Sequence, residues 1–253
     1  MSGRLAVVGL GPGDARYLTP EASAALADAE ALYGYAPYLD RLPPRAGQSR
    51  YTSDNREERA RALAALRHAA QAACVAIVSG GDPGVFAMAA AVCEAIEAGP
   101  KSWRALDIEI VPGITAMLAV AARIGAPLGH DFCALSLSDN LKPWELIERR
   151  LDAAAAAGFV IALYNPVSRA RPWQFGAAIE RLRRHLPPET PVVLGRAVGR
   201  ADERVSVVTL AAATMDADMA TLVIVGSRET RVIARSGRPP LVYTPRAAAE
   251  VSA

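Results

Sequence analysis

Lysine is almost missing from this 253-residue chain: only Lys101 and Lys142 among its 28 basic residues are lysines, and the rest are arginines. Against 26 acidic residues the net charge is +2, too balanced for a dedicated nucleic-acid binder. The arginines would suit a partner rich in carboxylates or phosphates, which a planar guanidinium grips with paired hydrogen bonds. Cysteine is scarce too. Cys74, Cys93 and Cys133 are far apart and form no CxxC pair. That speaks against a disulfide framework or a zinc site and fits a reducing cytoplasm. Cys74 and Cys133 lie in apolar runs and are expected as buried small hydrophobes. No pair of the histidines His68, His130 and His185 has metal-ligand spacing, so no metal is assigned. Long apolar runs are lacking: residues 153–164 form the longest and include Gly158, too short to cross a bilayer. The chain starts on a strand-like run without a charged n-region and h-region, so no signal peptide is expected.

What remains is an ordinary globular composition, 52 % hydrophobic and 21 % charged, with one to two domains' worth of chain. Short apolar runs at 5–8, 74–78, 108–111, 132–135, 159–163, 192–194, 205–208 and 222–225 predict strands. Between them, 20–31, 56–72, 85–98, 115–124, 144–157 and 173–185 predict helices. The alternation predicts an α/β fold of two α/β domains with mostly parallel sheets, covered on both faces. Gly125, Pro127 and Gly129 place the boundary, giving units 1–124 and 125–253. Thr19-Pro20-Glu21 reads as a helix start, and Asp82-Pro83 as a second one. The run 56–67 reads as a solvated helix face that also carries His68.

The loops after the strands carry the chemistry, because in a parallel sheet they face one ligand-binding crevice. Gly9-Leu10-Gly11-Pro12-Gly13-Asp14 invites a dinucleotide reading. However, Asp14 replaces the last glycine of GxGxxG, Pro12 has no N–H for a pyrophosphate, and the helix starts only near Pro20. Ser79-Gly80-Gly81-Asp82-Pro83-Gly84 puts a carboxylate where a phosphate-binding loop would carry lysine. It suits a nucleoside or a cation better than a phosphate. Val111-Pro112-Gly113-Ile114-Thr115-Ala116, Ser136-Leu137-Ser138-Asp139 and Tyr164-Asn165-Pro166 complete a set of five. Each alone is explained by a capped turn; together they converge on one side.

In this order, these motifs resemble the tetrapyrrole (corrin-type) methyltransferases, and the resemblance covers nearly the whole chain. The first three loops, with Leu18-Thr19, look like that family's general signatures. Gly34-Tyr35-Ala36-Pro37-Tyr38, Ser136-Leu137-Ser138-Asp139 followed by Pro143-Trp144, and Leu163-Tyr164-Asn165-Pro166 with Ser168-Arg169 look like the members that methylate a ring-D carbon and contract the macrocycle during cobalamin synthesis. The resemblance implies S-adenosyl-L-methionine (SAM) as methyl donor, bound in a cleft between the two domains by Pro12, Gly80, Gly81, Asp82, Val85, Thr115, Ala116 and Asn165. Ala197, Val198, Ala220 and Thr221 are expected to close over the adenosine. Ala197 departs from the glycine common in members acting earlier in the pathway. A homodimer and a small-molecule tetrapyrrole substrate are implied, with no nucleic acid and no membrane.

That substrate carries many carboxylates, for which Arg16, Arg169, Arg171 and Arg196 are candidates. Methyl transfer needs mainly alignment and a dry pocket. Ring contraction needs proton movement: a C-20 hydroxyl loses its proton, a ring-A lactone leaves, and C-20 ends as an acetyl group. Asp139 and Ser138 are the candidates for it, with Asp14 as a second acid; Ser138-Asp139 also reads as a cap for the helix near Trp144. Open alternatives are a methylase for another ring position, a cobalt-carrying substrate, diphthine synthase, an NAD-dependent oxidoreductase using 9–13, and a non-catalytic ligand-binding module.

Overall fold

A computed structural model describes residues 3–168, 170–213 and 217–247. The chain folds into two compact units, Met1–Thr115 and Ala116–Ala253.

The first unit runs β1 (Arg4–Gly9), α1 (Pro20–Asp28), β2 (Ala31–Tyr35), α2 (Ala36–Leu39), β3 (Ser49–Ser53), α3 (Glu58–Ala69), β4 (Cys74–Ser79), α4 (Met88–Ala98) and β5 (Asp107–Val111). Its sheet has the order β3-β2-β4-β1-β5 and every pair is parallel. Strand alternation splits the buried residues between two faces. Leu5, Val7, Val75 and Ile77 pack with Ala62 and Leu66 of α3 and Val92 of α4. Ala6, Val8 and Val78 pack with Ala22 and Leu26 of α1. Thr19 accepts a hydrogen bond from the Ala22 N–H at 3.0 Å, with Pro20 in the first helical turn, so the first predicted helix start holds. The predicted helix 20–31 is too long, since α1 ends at Asp28 and Ala31 opens β2.

The expected solvated face of α3 is corrected at Arg61, which is buried. Its guanidinium donates to Ser53 Oγ at 2.7 Å and to the Asp54 carbonyl at 2.8 Å. His68 is half-buried and its Nδ1 meets the Tyr33 hydroxyl at 3.1 Å. Cys74 and Cys133 are half-buried rather than buried, and desolvation raises both thiol pKa values.

The second unit runs α5 (Ala116–Ile124), β6 (Gly125–Ala126), β7 (Phe132–Ser136), α6 (Trp144–Ala156), β8 (Val160–Tyr164), α7 (Gln174–Leu182), β9 (Pro191–Arg196), β10 (Arg204–Thr209), β11 (Thr221–Val225), β12 (Arg231–Arg235) and β13 (Arg238–Tyr243). Its main sheet, β10-β9-β11-β8-β7, is mixed: only β7 and β8 pair in parallel. The expectation of mostly parallel sheets therefore holds for the first unit and not for this one. Residues 197–203 joining β9 to β10 hold no helix, and so short a link returns the chain antiparallel.

The expected boundary at 124/125 shifts to 115/116. Helix α5 belongs to the second unit: Val120 lies against Gly195 of β9, and Arg123 Nε donates to Glu203 at 2.5 Å. Gly125 and Ala126 are no linker, because they pair with β13.

Helices α6 and α7 are clamped at Asp152, which accepts from Arg181 at 2.6 Å and lies 3.0 Å from His185 Nε2. The Arg181 guanidinium, helped by His185, holds the Asp152 carboxyl below the usual carboxylate range. A depressed folded pKa gives stability that is complete above the ordinary carboxylate range and is lost as pH falls through the folded value. Thermal melts taken on acidification are expected to show that loss, and Asp152→Asn should remove this part of the acid dependence.

Candidate active site

Strands β4, β1 and β5 are neighbours in the first sheet, so their carboxyl-end loops lie side by side. Gly11 and Gly81 exchange backbone hydrogen bonds at 3.1 and 2.9 Å. A Cβ on Gly113 would stand 2.3 Å from the Gly81 carbonyl oxygen and 2.9 Å from the Gly9 carbonyl carbon. Only glycine allows these three loops to touch through their backbones. Asp82 ties them. Its Oδ1 accepts from the Gly84 N–H at 2.8 Å and its Oδ2 from the Gly113 N–H at 3.0 Å. It is not the helix cap that Asp82-Pro83 predicts, since α4 starts at Met88 with Ala87 at the N-cap.

Two supports escaped the sequence. Arg41 Nη2 donates to the carbonyls of Leu10, Gly11 and Gly13 at 2.8, 3.1 and 2.6 Å. Nothing in its local sequence marks it. The Tyr38 ring borders Gly80, where a Cβ would fall 2.7 Å from the ring; here the Gly34–Tyr38 motif was the available signal. Charged hydrogen bonds contribute about 1.5–3 kcal/mol. Arg41→Met is therefore expected to destabilise the first unit by about that much in denaturant melts.

Asp14 is exposed and accepts from the Arg16 N–H at 2.9 Å, capping a short 3-10 turn. Arg16 is exposed, with its guanidinium 5.2 Å from the centre of the Tyr17 ring. Pro12, Val85 and Gly81 are half-buried at the loop surfaces, and Thr115 is buried.

In the second unit the loops after β7 and β8 are joined. The Leu137 N–H donates to the Tyr164 carbonyl at 2.9 Å, and Asn165 Nδ2 donates to Ser136 Oγ at 3.0 Å. The Tyr164 hydroxyl accepts from the Met117 N–H at 3.2 Å, satisfying a donor in the first turn of α5. Ala116, just before it, opens that helix. The Ser138 N–H donates to Ser136 Oγ at 3.3 Å. Asp139 does not cap α6, whose N-cap is Pro143. Its carboxylate instead accepts from Gln174 Nε2 at 3.1 Å and lies 3.9 Å from Arg171 Nε. Gln174 and Arg171 are both buried.

Those contacts change the reading of the arginines. Arg171 faces Asp139, and Arg196 is held by Asp218 at 2.8 Å and Asp202 at 2.7 Å. Both are engaged by the protein's own carboxylates, which leaves less of each for a substrate. Arg169 lies outside the described residues. The two turns expected over the adenosine meet: the Ala197 N–H donates to the Ala220 carbonyl at 2.9 Å, and Ala197, Val198 and Thr221 are buried.

Residues 9–13, 79–85 and 111–115 contain no lysine or arginine and a single carboxylate, Asp82. Such a surface fits a nucleoside with a positive centre and no phosphate. Asn165 (φ +52°), Ala197 (φ +48°) and Phe86 beside Val85 (φ +52°) hold left-handed backbone without being glycine. Strain of that kind gathers at ligand sites. Among the described residues no three His, Cys, Asp or Glu side chains gather as a metal site, and no helix is long and apolar enough to cross a membrane.

Two α/β units, the first carrying glycine-built loops without lysine or arginine at its strand ends, fit the class of enzymes that use a nucleoside cofactor. The family model for tetrapyrrole (corrin/porphyrin) methylases matches residues 4–214, and the chain belongs to that family. It is 64 % identical to a precorrin-3B C(17)-methyltransferase of a Sinorhizobium species, over 97 % of each chain. It is 39 % identical to a probable cobalt-factor III C(17)-methyltransferase of Salmonella typhimurium, over 96 % of this chain and 98 % of that one. The crystal structure of the methyltransferase CobJ superposes with a TM-score of 0.91 at 51 % identity, covering 96 % of this chain and all of that one. Tetrapyrrole methylases take their methyl group from SAM, and this chain is a SAM-dependent methyltransferase.

Proposed function

We propose that the chain moves the methyl group of SAM to C-17 of precorrin-3B and contracts the ring to precorrin-4 in cobalamin synthesis. The observation that carries this is the 64 % identity over 97 % of both chains to the Sinorhizobium precorrin-3B C(17)-methyltransferase. SAM, when bound, supplies a methyl group on a positively charged sulfur.

The first unit offers Pro12, Gly80, Gly81, Asp82, Val85 and Thr115 to the cofactor. The second offers Ala116, Asn165, Ala197, Val198, Ala220 and Thr221. Asp82 places a carboxylate where a sulfonium or an ammonium gains from it, and two backbone donors hold it in position. Alignment by these fixed backbones is the main source of rate for methyl transfer. In the contraction, Asp139 accepts the C-20 hydroxyl proton as the ring-A lactone leaves. Ser138 sits beside it, and exposed Arg16 is offered to the substrate's carboxylates. Asp14 stands as a second acid. The protein is proposed to work in the cytoplasm as a homodimer.

A cobalt-carrying substrate is the second reading, favoured by the 39 % identity to the cobalt-factor III relative. Incubation with SAM and either precorrin-3B or cobalt-factor III, followed by mass and absorbance spectra, tests both. The first reading expects a product one methyl group heavier from precorrin-3B. Methylation of cobalt-factor III alone supports the second.

A further inference from the structure

We infer that Asp218 is a positioning residue for SAM affinity, holding in place the two turns assigned above to the adenosine. The inference rests on that assignment.

One carboxylate reaches both turns. Asp218 Oδ1 accepts from the Ala220 N–H at 2.9 Å and from Thr221 Oγ1 at 2.7 Å. Thr221 Oγ1 in turn accepts from the Asp218 N–H at 3.1 Å. This closes the start of β11 into a tight loop. Asp218 Oδ2 accepts from Arg196 Nε at 2.8 Å. Arg196 is the last residue of β9, the cross-strand partner of Thr221, and the neighbour of Ala197. Fixed in this way, the Ala220 carbonyl accepts from the Ala197 N–H at 2.9 Å.

Ala197 needs that help. Its φ of +48° is a conformation that L-residues hold only when their surroundings over-determine it. Further supports lie on the far side of the turn. The Arg200 N–H donates to the Ala197 carbonyl at 3.0 Å, and the Gly199 N–H donates to Glu203 at 2.7 Å. Arg196 Nη1 also donates to Asp202 at 2.7 Å. Burial pushes the Asp218 carboxyl pKa up, but hydrogen bonds from Thr221, Arg196 and Ala220 outweigh it, so the group lies below the ordinary range. Asp218 is thus ionised at neutral pH and binds three donors at once. Arg196, which the sequence suggested for substrate, acts here through Asp218. Removing the carboxylate leaves Ala220 and Thr221 without their link to Arg196, the residue before left-handed Ala197, and the surface offered to the adenosine loosens. The arrangement predicts an effect on cofactor affinity, with the chemical step untouched once the cofactor is bound.

The test compares Asp218→Ala, Asp218→Asn and the control Asp152→Asn by calorimetry with SAM and by methyl transfer from labelled SAM to precorrin-3B. Asp152 pairs with Arg181 between α6 and α7 of the same unit, and belongs to neither turn. The expected result is a Kd and KM for SAM raised about tenfold in Asp218→Ala and less in Asp218→Asn. Turnover at saturating SAM should stay within about twofold of the parent, and the control should keep the parent's SAM affinity. If the parent protein binds SAM and the Asp218 variants bind it equally well, the positioning role is overturned and the SAM reading stands. An equal loss of affinity in Asp152→Asn would also overturn it, by revealing a general effect of stability. A parent protein that does not bind SAM would overturn the SAM reading itself. Should Asp218→Ala fail to fold, the Asn variant carries the comparison alone.

Discussion

Replacing Gly113 by alanine is expected to weaken SAM binding by roughly 10- to 100-fold in a protein that still folds. The added Cβ would sit 2.3 Å from the Gly81 carbonyl oxygen and 2.9 Å from the Gly9 carbonyl carbon. Both neighbours are backbone, so no side chain can swing aside. The loop after β5 must move off the loop after β4, and the Asp82–Gly113 hydrogen bond at 3.0 Å goes with it. Overpacking of this kind costs about 1–3 kcal/mol, and each ~1.4 kcal/mol is a factor of ten in affinity. Calorimetry on a variant with a normal circular dichroism spectrum measures it. Unchanged affinity would remove these loops from the cofactor site. Gly81→Val is a poorer probe, because Gly81 has φ +68° and any side chain there is strained with or without ligand.

Asp139→Asn is expected to separate methylation from ring contraction. The asparagine oxygen can still accept from Gln174, so the loop after β7 keeps its anchor, while the titratable group is gone. SAM binding should stay nearly normal. Contraction should slow by ~100-fold or more, the usual contribution of a general base, and the product should carry the new methyl group on an uncontracted ring. If Asp139 serves only to engage Arg171 and Gln174, the variant loses about 1–3 kcal/mol of stability and makes the normal product. Contraction is a rearrangement that conserves mass, so the ultraviolet–visible spectrum and the carbon NMR signal of C-20 make the distinction.

The loops of the candidate site were legible in the sequence because glycine and proline punctuate the strand ends. The loops at 9–13, 79–84 and 111–115 follow strands whose apolar runs leave no other reading, and they meet in the structure. The roles of single polar residues were less legible. Asp82 has the pattern of a helix cap, yet α4 starts six residues later, and its partner Gly113 is distant in sequence. Arg41, Arg171 and Arg196 look like any other arginine in a chain so rich in them. Only tertiary contacts show that Arg41 holds three carbonyls and that the other two face carboxylates. Strands β3, β12 and β13 were missed because Ser-Arg-Tyr-Thr-Ser and the arginine-rich hairpin lack the apolar runs that mark buried strands. The parallel order of the first sheet followed from its alternation with helices. The antiparallel β9–β10 return did not, since its cue is the absence of a helix at 197–203.

The central claim is that this chain methylates C-17 and contracts the ring. The most direct measurement is carbon NMR of the product formed from precorrin-3B and SAM labelled with carbon-13 in its methyl group. The account predicts one labelled methyl on the quaternary carbon at C-17, with C-20 found in an acetyl group outside the ring. A label at any other ring position, or C-20 still within the macrocycle, would contradict it.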